Sequence, residues 1–349
     1  MHTKTLIIGG GLTGLSLAYR LQKAGHDFLL VEARKRVGGR IKSLHVQDAA
    51  FDLGPSWIWS GQDRVAALLA ELGLTAFEQW SVGTQVYEHP NGDVQQSSGF
   101  MSMAGSYRIT GGTTALTDAL AAKLDPDRLH VGSAATMISA DPLGARIGGS
   151  FVTAERIVLA IPPRIAAELG YSPALSDQTL TSLRAIPTWM GAHAKFVAVY
   201  PTPFWRNDGL SGDASSRRGP LVEIHDASPH DAGLGALFGF VGVPAAARVS
   251  AGAALTKAAI AQLVNLFGAK AESPIAIQLE DWSQAAFTTS PADANPPQGH
   301  PPYQMPAILR HVWSDELVFA VTEMTADNGG LIEGALAASE SAADRILRA

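Results

Sequence analysis

At 349 residues the chain exceeds the usual span of one hydrophobic core, so two domains are expected. Apolar residues make up 46% and charged residues 17%, which excludes a disordered chain, and 35 Gly with 20 Pro suits an α/β protein rich in tight turns. The formal charge of -6 is spread without like-charge blocks, so neither nucleic acid nor an anionic membrane is an expected partner. The absence of cysteine excludes disulfides, thiolate catalysis, zinc-thiolate sites and any cofactor tethered through sulfur.

Residues 5–8 read as a short buried strand, 12–24 as a helix and 27–32 as a second strand, together a βαβ unit. A helix follows over 62–74. Pro90-Asn91-Gly92 between 85–89 and 93–96 is a hairpin signal and the expected entry to a second domain. Gly111-Gly112 feeds a helix over 113–123, and 129–131 and 156–161 read as strands rejoining the first domain. Runs at 192–200, 221–225, 236–241 and 275–280, with a helix over 254–267, supply a second sheet and its cover. A strand at 317–321 and a helix over 331–347 close the chain. No run of about eighteen apolar residues occurs, so no membrane span is expected. The expected location is cytoplasmic, and the oligomeric state stays open.

Gly9-Gly10-Gly11-Leu12-Thr13-Gly14 fits G-x-G-x-x-G between the first strand and the first helix. Gly9 serves the tight turn, Gly11 lets backbone approach a pyrophosphate, and Gly14 lets helix and strand pack closely, while the helix N-terminus attracts phosphate. Glu32 ends the second strand 18 residues after Gly14, where a carboxylate accepts hydrogen bonds from ribose hydroxyls. These features predict a dinucleotide site.

The segment that continues from it, Glu32-Ala33-Arg34-Lys35-Arg36-Val37-Gly38-Gly39-Arg40, resembles the extended motif of the flavin-containing amine oxidase superfamily. The resemblance persists in Asp52-Leu53-Gly54-Pro55-Ser56-Trp57, similar to the segment beside the isoalloxazine ring, and in Ile109-Thr110-Gly111-Gly112. It continues in the strand ending at Pro162-Pro163 and in Phe319 to Glu323 with Gly330 to Ala335. It implies noncovalent FAD held by Gly9, Gly11, Leu12, Thr13, Gly14, Glu32, Ala33, Arg34, Gly39, Arg40, Gly54, Pro55, Ser56, Trp57, Ala135, Ala160, Trp282, Thr322, Glu323, Leu331 and Ile332. Arg34 and Arg40 are expected to meet phosphate or order the loop, and Lys35 and Arg36 to be solvated. A backbone N–H near Ile332 is expected to meet a flavin carbonyl at a positive helix end.

Lys195, on a strand leading to Phe204-Trp205, matches the family's lysine that reaches flavin N5 through water. Read from the alternating pattern alone, it is a solvent-facing lysine. Asp281-Trp282-Ser283-Gln284-Ala285-Ala286-Phe287 resembles the segment that brings a tryptophan and a second aromatic residue to the flavin, with Phe287 expected as one wall of the amine cage and Leu331 as the other. Ala286 stands where some relatives carry a flavin-linking cysteine. Trp57 and Trp59 are expected to line the pocket or fill the core. His45, His193, His225 and His311 show no metal spacing and are read as structural or surface groups.

The expected fold is α/β, a Rossmann-like FAD domain (1–76, 107–190, 286–349) with a discontinuous substrate domain on a mixed or antiparallel sheet (77–106, 191–285). The expected activity is oxidation of a small, apolar amine to an imine by hydride transfer to flavin N5, with reoxidation by oxygen giving peroxide. A renalase-like oxidase of reduced nicotinamides, a desaturase-type dehydrogenase and a non-catalytic flavin subunit remain alternatives. The short segment between Asp52 and Gly111 implies that the helical roof of longer relatives is reduced.

Overall fold

The computed structural model describes residues 1–99, 103–230 and 233–348. The strands His2–Ile8 and Phe28–Val31 pair directly in parallel, with Ile8 opposite Val31, and are joined by the crossover helix Leu12–Lys23. Their near-continuous burial is that of a parallel sheet covered on both faces. The sheet runs Gly170–Ser172, Ala135–Ala140, Leu143–Ile147, Ser150–Leu159, His2–Ile8, Phe28–Val31, Leu129–His130, and Leu317–Phe319 pairs with the end of Ser150–Leu159. One face packs on Leu12–Lys23, Thr114–Lys123 and Ile332–Leu347, burying Leu15, Leu116 and Leu336.

The second sheet runs Ala276–Asp281, Ala194–Tyr200, Gly235–Val241, Leu221–Asp226, Leu210–Ser216, Thr84–Glu88, Val94–Ser97. All its pairings are antiparallel except Leu210–Ser216 with Thr84–Glu88. Both its faces are covered. Phe196, Ala198 and Tyr200 pack beneath the helix Ala253–Phe267, while Val197 and Val199 face the hairpin Ser43–Val46/Ala49–Asp52 and Leu53. Side chains alternate along a strand, so Lys195 shares the face of Val197 and Val199 and points toward the first sheet's loops.

Several of these elements are absent from the reading of the sequence: the hairpin at 43–52, the strands at 135–147 and 210–216, and the helix Asp177–Ala185. The strand expected at 156–161 begins at Ser150, because its first half pairs antiparallel with Leu143–Ile147. Among the described residues no single helix is long and apolar enough to cross a membrane.

Candidate active site

The glycine loop ends the first strand at the edge of a cavity of about 390 Å³. Gly9 has φ 114°, and a Cβ there would lie 2.5 Å from the Ala160 carbonyl oxygen. A Cβ on Gly14 would lie 1.9 Å from the Gly9 oxygen, so this glycine serves helix-to-strand packing and does not line the cavity. A Cβ on Gly11 would meet nothing within 4 Å: bare backbone at the start of Leu12–Lys23 faces open space, as an anion site requires. Glu32 is buried at the adjoining strand end, where its two carboxylate oxygens accept the Gly10 and Arg34 backbone N–H groups, each at 2.8 Å. Each oxygen keeps a further lone pair for a ribose hydroxyl.

Arg34 orders a neighbouring turn. Its guanidinium donates to the Ala286 carbonyl and, at 2.7 Å, to Thr288 Oγ1, the residues on either side of Phe287, and lies 5.8 Å from the Phe287 ring centre. Phe287 takes a left-handed backbone (φ 62°) and is 49% exposed. It lines the same cavity as Lys195 and Leu331. Arg34, which lies beside Glu32, anchors its turn. Arg36 is not solvated either, because its guanidinium donates to the carbonyls of Val37, Gly39 and Ile41 and staples the loop; Lys35 is exposed as expected.

Arg40 lines the cavity while its guanidinium pairs with Glu323, which is fully buried, and donates to the Trp189 carbonyl at 3.3 Å. Glu323 also accepts the Trp189 N–H at 3.2 Å. A carboxylate this buried needs a cation, so Glu323 supports Arg40 and does not itself reach the cavity, which corrects its expected contact with the cofactor. Beside it Thr322 Oγ1 donates to the Leu331 carbonyl at 2.8 Å, and Leu331 caps the helix Ile332–Leu347, whose first turn opens on the cavity.

Lys195 lies at the far end. It is 2% exposed, which overturns the solvent-facing reading of its strand. Its Nζ donates to Ser56 Oγ at 2.6 Å and to the Gly54 carbonyl at 3.1 Å, and lies 3.8 Å from the Phe238 ring centre. Burial pushes its pKa down to about 7, partly countered by Asp52 and reinforced by Arg108. The indole N–H of Trp282 donates to the Leu53 carbonyl at 2.9 Å and fixes the same turn from the other side.

All the residues expected at the cofactor and amine sites except Gly14 and Glu323 line this one cavity. Sequence reading misses Phe240, Trp189 and Met190, which also line it. Phe240 is the register partner of Lys195 across the sheet, a relation visible only once the strands are paired. His193 lines the cavity too, with a buried Nδ1 that has no hydrogen-bond partner. His225 sits behind Trp57, ring centres 4.9 Å apart and edge-on, with its ring nitrogens on Asp213 and Glu223. Burial lowers its pKa, but those two hydrogen bonds outweigh it and leave the imidazole above its ordinary value. His45 and His311 are exposed, and no group of three potential metal ligands occurs among the described residues.

A nucleotide-binding βαβ unit, a second helix N-terminus and a buried lysine around one cavity define a flavoprotein oxidoreductase. The open space at Gly11, the free lone pairs of Glu32 and the helix start at Ile332 fit FAD. The family model described as flavin containing amine oxidoreductase matches residues 12–99 and 93–347, and the chain belongs to that family. It is 25% identical to a probable flavin-containing monoamine oxidase A of Dictyostelium discoideum over 69% of this chain and 75% of that protein. It is 22% identical to putrescine oxidase of Kocuria rosea over 82% and 84% of the two chains. Among solved structures, putrescine oxidase bound to putrescine superposes with a TM-score of 0.84 at 20% identity, covering 100% of both chains. Cyclohexylamine oxidase from Brevibacterium oxydans gives 0.84 at 21%, covering 99% of each. The protein is thus an FAD-dependent amine oxidase-like enzyme, and with no cysteine in the chain its flavin carries no thioether link.

Proposed function

We propose that the enzyme oxidises a small, apolar monoamine to its imine by transfer of a hydride equivalent, with oxygen as the final acceptor. The carrying observation is the charge pattern of the cavity. Among its described lining residues Glu32 is the one carboxylate, and it is hydrogen-bonded into the glycine loop. A second ammonium entering beside Trp57 and Phe240 would shed its hydration without a counter-charge. The same walls favour the neutral amine, because desolvation penalises the ammonium form.

When bound, FAD supplies the acceptor for the hydride. Glu32 and the backbone at Gly11 bind the nucleotide half, and Arg40, braced by Glu323, gives the middle of the cavity its positive charge. Lys195 Nζ, aimed by Ser56 and Gly54, holds water or a proton at the cavity wall. Trp57 and Phe240 orient the alkyl group and exclude water. The test is peroxide formation by the purified holoenzyme with a panel of monoamines, diamines, amino acids and reduced nicotinamides. Monoamine-dependent peroxide is expected, and turnover with reduced nicotinamides alone would replace this reading by the renalase-like one.

A further inference from the structure

The turn that receives Lys195 is itself held from behind. Asp52 Oδ1 accepts the Thr113 backbone N–H at 2.8 Å, the Thr113 hydroxyl at 2.7 Å and Ser43 Oγ at 3.1 Å. Thr113 Oγ1 also lies 3.2 Å from the Pro55 carbonyl. Pro55 separates Gly54 and Ser56, the two residues that accept from Lys195 Nζ. Asp52 is 3% exposed, and its second oxygen, Oδ2, is buried with no hydrogen-bond partner. A desolvated carboxylate left half-satisfied is costly unless its charge acts on a nearby cation.

We propose that Asp52 is a positioning residue for Lys195, acting through Thr113 and the Gly54–Ser56 turn and through the charge on its unpartnered Oδ2. This rests on the assignment of Lys195 as the polar group of the site. Asp52 is well placed for it because the other charges around Lys195 are engaged. Glu280, its register partner on one side, is bonded to Lys42, and Phe240 on the other side carries no charge. Asp281 is paired with Arg248, and His225, behind Phe238, with Asp213 and Glu223. His193 stands two residues before Lys195 and lacks a partner at Nδ1. Among the described residues Arg108, buried on the carbonyls of Ala227 and Ser228, is the cation that opposes the ammonium, and the charge of Asp52 acts on it as well. Asp52 is then the carboxylate that keeps Lys195 partly protonated near neutrality, the buried charge it lacks elsewhere.

Two variants separate the roles. Asp52→Asn keeps an acceptor for Thr113 and removes the charge, whereas Thr113→Val removes the hydroxyl clamp and keeps both the N–H and the charge. The lysine side-chain resonance of Lys195, assigned by its loss in Lys195→Met, is titrated by NMR in flavin-free protein, and flavin reduction by amine is timed in holoenzyme. Asp52→Asn should move the Lys195 midpoint to lower pH by about one unit. Thr113→Val should leave the midpoint in place and slow flavin reduction by roughly three- to ten-fold, since the lysine is misplaced. An unmoved midpoint in Asp52→Asn, or wild-type reduction in Thr113→Val, overturns the proposal. If Asp52→Asn does not fold, the Thr113→Val rate decides alone. The underlying reading fails separately, if Lys195→Met reduces and reoxidises its flavin at wild-type rates.

Discussion

Lys195 Nζ is caught between Ser56 Oγ at 2.6 Å and the face of Phe238 at 3.8 Å, with no carboxylate among the described residues in contact. Its pKa falls from 10.5 to about 7, burial being the main cause. Below about pH 7 the lysine is charged in both the folded and unfolded chain, and the burial penalty is complete. Between about 7 and 10.5 the unfolded chain binds the extra proton, so stability rises with pH across that window. Lys195→Met removes the buried ammonium and should be more stable than wild type at pH 6 by about 2 kcal/mol or more. The difference should shrink as the pH approaches 10. Denaturation of flavin-free protein across pH checks this, and equal stability at every pH would contradict it. Flavin reduction, reoxidation or both should nevertheless slow by roughly ten-fold or more in the holoenzyme.

Arg40 and Glu323 form the ion pair on which the middle of the cavity rests. Glu323→Gln leaves a buried guanidinium without its counter-charge, a change that costs about 3–5 kcal/mol. Urea denaturation should show a loss of that size, accompanied by weaker FAD retention. A loss below about 1 kcal/mol would place the pair among weakly coupled surface contacts.

Glu32→Ala should weaken FAD binding by about ten- to a hundred-fold, since it removes the ribose acceptor and releases the Gly10 and Arg34 N–H groups. Acid precipitation of the wild-type protein should leave all the flavin in solution. Fluorescence titration of flavin-free protein reads the first, and colour left in the pellet would contradict the second.

The position of Phe287 separates two kinds of aromatic residue in the cavity. Phe240→Ala, next to Lys195 in register, should raise KM for a phenylalkylamine by about ten-fold or more through lost apolar contact. Phe287→Ala, beside Arg34, should leave the amine KM unchanged and alter FAD affinity instead. Steady-state kinetics at saturating FAD distinguish them. The reverse pattern would place Phe287 on the amine wall.

The nucleotide half of the molecule was legible because it is local: strand, glycine loop, helix and Glu32 follow one another within 32 residues. The amine half was less so. Lys195 was found through its motif, but its burial depends on sheet strands on both sides that the alternating pattern cannot reveal. The direction of Phe287 was not legible, because its turn is fixed by Arg34, 253 positions earlier. Glu323 was assigned to the cofactor because a carboxylate at a helix approach looks the same whether it meets a ligand or a buried arginine. The strands at 135–147 hide for a simpler reason, since their Ala, Gly and Ser content carries little β signal.

The most direct test of apolar monoamine oxidation is anaerobic mixing of the holoenzyme with a homologous series of alkyl and phenylalkyl monoamines beside putrescine, following loss of the oxidised flavin absorbance. Each added methylene should improve transition-state binding by about 0.8 kcal/mol, so the second-order rate of bleaching should climb roughly three- to four-fold per carbon until the pocket is full, with putrescine slower than butylamine. Bleaching by putrescine faster than by every monoamine, or by none of the amines at all, would contradict the account.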